Sequence, residues 1–127
     1  NGVLVNPTQA YLDGLTFSSL PTSTAVAISV SVAANNAGSG NVYVIDGTQK
    51  KSLTMEVGKT YTFTHPTAHP LRFSITNDGT HGGGEAYTSG VDTSSDGVTI
   101  IEVTADTPTT LYYYCSIHSG MGSSITV

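Results

Sequence analysis

The chain has 127 residues, 38% hydrophobic and 10% charged, with 14 Gly, no Trp, a single Cys and a formal charge of −5. One compact domain of this length buries about two-thirds of its unfolded surface, so its core needs neither disulfide nor metal. Four basic residues, with no cluster beyond Lys50-Lys51, argue against nucleic-acid binding by phosphate neutralisation, and no apolar run approaches the roughly 20 residues that span a bilayer.

The opening NGVLVNPT carries neither the basic flank nor the apolar stretch of a signal peptide, so the chain reads as a soluble mature form or a fragment. Twenty Thr and 15 Ser beside 12 Val make an uncharged, β-prone composition. Its expected setting is extracellular, periplasmic, or a cell or virion surface. A single Cys rules out an internal disulfide, which raises the question of what the lone thiol does.

No stretch keeps a helical apolar period for three turns, whereas two-residue alternation recurs, so the class is all-β. Residues 25–33 form the first expected strand, with Val26, Ile28, Val30 and Val32 on one face. The run from Asn35 to Asn41 then breaks the pattern. It divides the chain into an N-terminal arm, 1–37, and a compact domain, 38–127. Further strands are expected over 42–45, 53–57, 61–64, 69–76, 98–104, 109–115 and 123–127, separated by turn signals such as Asp46-Gly47 and Val57-Gly58-Lys59. Seven or eight short strands make a sandwich or barrel. Residues 77–97 read as one long loop with too few apolar residues for a buried strand, the kind of loop that often carries function.

The chemistry concentrates near the C-terminus, where Cys115-Ser116-Ile117-His118-Ser119-Gly120-Met121 puts a thiolate, an imidazole and a thioether in one loop after a strand. Copper selects these donors, and two His with one Cys and a weak axial Met form a blue-copper site. The second His is expected at His69, which shares parity with Leu71, Phe73 and Ile75 on the buried face of its strand. The same rule turns Cys115 inward with Leu111 and Tyr113, leaving Tyr112 and Tyr114 outside.

In these residues the sequence resembles the cupredoxins, the blue-copper family. The Cys115, His118, Met121 spacing is similar to an amicyanin-type ligand loop, and His69-Pro70-Leu71-Arg72-Phe73 is similar to the family's first-ligand segment. The likeness covers about 42–127, and its local style resembles small cupredoxin-like domains of marine phage and environmental bacteria. The resemblance implies a Greek-key β-sandwich or barrel. It also implies one copper ion, Cu(I)/Cu(II), with His69, Cys115 and His118 equatorial and Met121 axial. Many cupredoxins carry Asn after the first His; this chain has Pro70, which has no backbone N–H to donate.

His65 lies about 13 Å from His69 along an extended strand, so it reaches the same ion only if the chain turns at Pro66. His81 reads as solvent-exposed or as a neighbour of the site rather than a ligand. Gly82-Gly83-Gly84 opens no helix and cradles no phosphate. Cys115 with His118 lacks the separate orienting partner of a thiol nucleophile. Met is a poor zinc ligand, which leaves zinc as a substitute occupant only.

Two functions follow. One is a copper-binding cupredoxin for electron transfer or copper handling, not an enzyme, working with a redox partner protein. The other is a structural subunit of a filament, appendage or virion, with copper stabilising or absent. In that second reading the arm covers Tyr112 and Tyr114 or pairs with an identical subunit.

Overall fold

The computed structural model describes residues 24–127; the expected arm before Thr24 lies outside the described residues. Ten strands run in chain order: β1 (Thr24–Ala34), β2 (Asn41–Ile45), β3 (Thr48–Gln49), β4 (Leu53–Thr54), β5 (Lys59–Thr64), β6 (Leu71–Ser74), β7 (Val91–Asp92), β8 (Val98–Glu102), β9 (Thr110–Cys115) and β10 (Ser123–Thr126). They form a six-stranded sheet, β3-β2-β1-β5-β8-β7, and a four-stranded sheet, β4-β10-β9-β6. Both are mixed, since β1 runs parallel to β5 and β10 parallel to β4 while the other pairs are antiparallel. The class is all-β, as the alternation of the sequence requires.

One core lies between the sheets. Val30, Tyr43, Ile45, Tyr61, Phe63 and Ile101 come from the first, and Leu53, Leu71, Phe73, Leu111, Tyr113 and Ile125 from the second. Phe63 and Phe73 meet edge to face across the gap, with ring centroids 5.3 Å apart. Burial of each such side chain contributes about 1.5–3 kcal/mol, and aromatic geometry adds about 0.5–1.5 kcal/mol per pair. Asp46-Gly47 closes the β2–β3 hairpin with positive φ at both residues, 52° and 75°, the backbone that a two-residue connection between twisted strands demands.

The amphipathic strand assigned to the arm is an internal strand. β1 pairs with β5 over Thr24–Ser29 and with β2 over Val30–Ala34, so each half of it is laddered to a strand of the same chain. Its apolar stripe, Val26, Ile28, Val30 and Val32, packs on the core.

Tyr114 does face away from that core, but it is only 1% exposed. Its cover is a 3-10 turn, Gly79–Gly82, inside the long loop. An added Cβ on Gly79 would collide with the Tyr114 ring, and Gly79 has φ 54°, so only glycine fits this close approach. Ile75 also departs from expectation, being 65% exposed. The β6 ladder ends at Ser74, whose buried hydroxyl donates to the Glu85 carbonyl (2.7 Å) and accepts the Thr76 N–H (3.0 Å), ending the alternation. Residues 77–97 are a loop apart from that turn and two-residue β7, and Tyr87 N–H ties the loop to the Phe73 carbonyl at 2.6 Å.

Because β1 is held by β5 along its first half and by β2 along its second, the backbone amides of residues 26–32 that donate across those ladders will exchange with solvent far more slowly than those of an unpaired segment, measured by native-state hydrogen exchange. Exchange at the rate of an unpaired segment would contradict this placement.

Candidate metal centre

Register brings the two halves of the site together. In the antiparallel β6–β9 pair, Leu71 stands opposite Cys115. His69, two residues before Leu71, therefore arrives beside the end of β9, where the loop containing His118 begins. The chain reaches His69 through a turn at Pro66-Thr67-Ala68, closed by the His69 N–H on the Pro66 carbonyl (3.1 Å). The His69 carbonyl accepts the Tyr43 hydroxyl at 2.6 Å. Both backbone groups of His69 are thus satisfied, which fixes the Cα from which the imidazole projects.

One ligating atom from each of His69, Cys115 and His118 lies within 4.8 Å of the others. Cys115 Sγ is 3.6 Å from His118 Nδ1, and the two imidazole centroids are 4.8 Å apart. Cys115 is fully buried, His69 partly buried and His118 exposed, so the group is reached from the solvent side through His118. His69 Nδ1 is buried without any hydrogen-bond partner. Such an orphan costs about 1–3 kcal/mol unless something binds it, and its neighbours here are a thiol and a second imidazole. Two nitrogens and a soft sulfur fit a type 1 copper site.

Met121, also fully buried, ends the loop; its carbonyl accepts the Tyr43 N–H at 3.0 Å. Tyr43, by sequence an ordinary strand residue, thus holds both approaches to the site: its hydroxyl donates to the His69 carbonyl and its N–H to the Met121 carbonyl. Burial first, and the adjacent Cys115 second, push its phenol above the usual tyrosine range, so it remains a proton donor. The only advance signal was a tyrosine in an apolar strand, which must find its hydroxyl a partner.

His65 lies apart from this group. The chain turns at Pro66, but the His65 ring is buried among its own partners, with Nδ1 donating to the Pro66 carbonyl (3.0 Å) and Nε2 3.0 Å from Thr99 Oγ1. His81 neighbours the site without joining it: its Nε2 donates to the Cys115 carbonyl at 2.8 Å, and its ring stands edge-on to Tyr114. Asp78, which nothing in the sequence marks out within the long loop, accepts the Gly120 N–H on both carboxylate oxygens, at 3.0 and 3.1 Å.

No protein-family profile matches the chain, and no curated protein does. Among solved structures, one of reduced rusticyanin is similar, with 19% identity over 87% of this chain and 81% of that one and a TM-score of 0.43. So distant a likeness leaves fold and site to be argued from the strands and side chains themselves.

Burial, and then the nearby His118, hold the His69 imidazole below its ordinary value. A histidine whose folded pKa is lowered stabilises the fold while both states are neutral. That contribution is lost as pH falls through the unfolded value, near 6.5, toward the folded one. The metal-free protein will therefore lose stability as pH falls below about 6.5 in urea unfolding, and His69→Gln will flatten that dependence. An unchanged slope in the variant would contradict the assignment.

Proposed function

We propose that the protein binds one copper ion and carries electrons. His69, Cys115 and His118 serve as the strong ligands and Met121 as a weak fourth. The observation that carries this reading is the buried, unpartnered Nδ1 of His69 beside Cys115 Sγ and the His118 ring. Copper, when bound, supplies a one-electron Cu(I)/Cu(II) couple. The chain's contribution is rigidity. His69 is pinned through its backbone, Cys115 ends a paired strand, and Met121 is locked in the core. Ligands held this way move little when the charge at the centre changes, as an electron carrier requires.

Electrons enter and leave at the exposed side. The His118 ring lies there with exposed Ile117, in a shallow groove bordered by Gly40, Asn41, His69 and Ser119. Leu71 and Met121 are fully buried and take no part in this exposed edge. Transfer to a redox partner at this edge needs no substrate pocket and no general base, in keeping with a non-enzymatic role. The Ser/Thr-rich, weakly charged composition supports work outside the cytoplasm, in the periplasm or extracellular space. No helix among the described residues is long and apolar enough to cross a membrane. The structural-subunit reading needs a free amphipathic strand before Gly38; β1 pairs with β5 and β2 in turn and packs its apolar stripe on its own core, which favours the copper reading.

Titration of the reduced protein with Cu(II) will produce an intense visible thiolate-to-copper band, absent in Cys115→Ser, together with the matching electron paramagnetic resonance signal. Weak binding, or a band that survives in the variant, would overturn the proposal. Replacing Met121 by Leu removes a donor that favours the higher charge. It will raise the reduction potential in voltammetry while keeping the band, whereas Met121→Gln will lower it.

A further inference from the structure

The loop that carries His118, residues 116–120, is exposed along its whole length. It contributes no side chain to the core cluster. Such a segment pays the full entropy of ordering and has little of its own to offset it. Its order must come from groups outside it. Pro70 supplies one tie, its carbonyl accepting the Ser116 N–H at 3.0 Å. His118 itself meets only the other two donors, Cys115 and His69, and two further ties come from the turn in the long loop. His81 donates to the Cys115 carbonyl at one end, and Asp78 accepts the Gly120 N–H with both oxygens at the other.

From this we infer that Asp78 and His81 are positioning residues, a clamp that holds the His118 loop in its ligating shape before any metal arrives. The inference rests on the copper reading for its purpose, but its geometry stands without it. The clamp has a fixed seat. Gly79 lies flat on the Tyr114 ring, leaving no room for a side chain, and the His81 ring meets Tyr114 edge-on with centroids 6.2 Å apart. Tyr114 immediately precedes Cys115 in β9, so the turn is anchored on the strand that bears the thiol. Asp78 itself has φ 62°, a left-handed conformation that Asp tolerates better than most residues. The turn continues through the Gly79 N–H on the Thr76 carbonyl (2.9 Å) and the Gly84 N–H on the Gly79 carbonyl (3.0 Å). The two clamp residues lie 34 or more positions from the groups they hold. The long loop thus acts on the site without supplying a ligand.

The test follows alkylation of Cys115 by iodoacetamide in metal-free protein, for the unaltered chain, Asp78→Ala, Asp78→Asn and His81→Ala. Val103→Ala, a core truncation outside the site, serves as the control for lost stability. The expected result is about a tenfold faster reaction in Asp78→Ala and His81→Ala than in the control at equal global stability, with partial restoration in Asp78→Asn, which keeps one accepting oxygen. Equal rates in all variants, or a rise in Val103→Ala matching that in Asp78→Ala, would overturn the clamp. If Asp78→Ala does not fold, exchange of the Gly120 amide in the unaltered protein decides: protection is expected, and exchange at the rate of a free loop overturns it. In parallel, Cu(II)-loaded Asp78→Ala will show an altered copper hyperfine splitting, with Asp78→Asn closer to the unaltered protein. Because alkylation uses no metal, a protein that binds no Cu(II) would defeat the copper reading while leaving the clamp to stand or fall on its own.

Discussion

The site depends on one register. Leu71 opposite Cys115 in the β6–β9 ladder determines that His69 and the thiol share an end of the sandwich. A slip of one residue would turn every side chain of β6 to the opposite face, taking Leu71 and Phe73 from the core and His69 from the sulfur. The register is protected by burial: Leu71, Phe73, Leu111 and Tyr113 are all essentially inaccessible, so any slip exposes several large apolar groups at once. The same packing that stabilises the sheet thereby specifies the donor geometry.

Around that ladder the backbone bonds converge on the chemistry. The Tyr43 hydroxyl and N–H, the Pro70 carbonyl, the His81 ring and the Asp78 carboxylate each satisfy a main-chain group of His69 or of the segment from Cys115 to Met121. Among the buried side-chain nitrogens and oxygens of the described residues, the one without a partner is His69 Nδ1. A site whose backbone is tied at both ends of its loop and whose buried orphan is a ligand atom is organised ahead of its ligand. Preorganisation of that kind suits a metal that must change charge without rearranging its surroundings.

Much of this was legible in the sequence. Alternation gave the strands and the inward parity of Cys115, and the donor types with their C-x-x-H-x-x-M spacing pointed to a soft metal. Non-local pairing was not legible. Residues 24–34 looked detached because a Gly/Asn-rich connection follows them, yet their partner β5 lies beyond three intervening strands, and nothing local encodes a parallel pair. Tyr114 looked exposed because parity describes the two faces of a sheet but not what a distant loop lays over one of them. Ile75 escaped its predicted face because a buried serine hydroxyl ended the ladder one residue earlier. Asp78 carries no signal in the sequence, and His81 reads equally as solvent-exposed or as a neighbour of the site, since their partners are main-chain atoms whose positions exist only once the sheets have formed.

The central claim is that His69, Cys115 and His118 together form a single preformed metal site. X-ray absorption at the copper edge of the Cu(I)-loaded protein tests it most directly. The account predicts one sulfur at short range together with two imidazole nitrogens, and one imidazole fewer in His69→Gln. A spectrum without sulfur, or an imidazole count unaffected by that substitution, would contradict it.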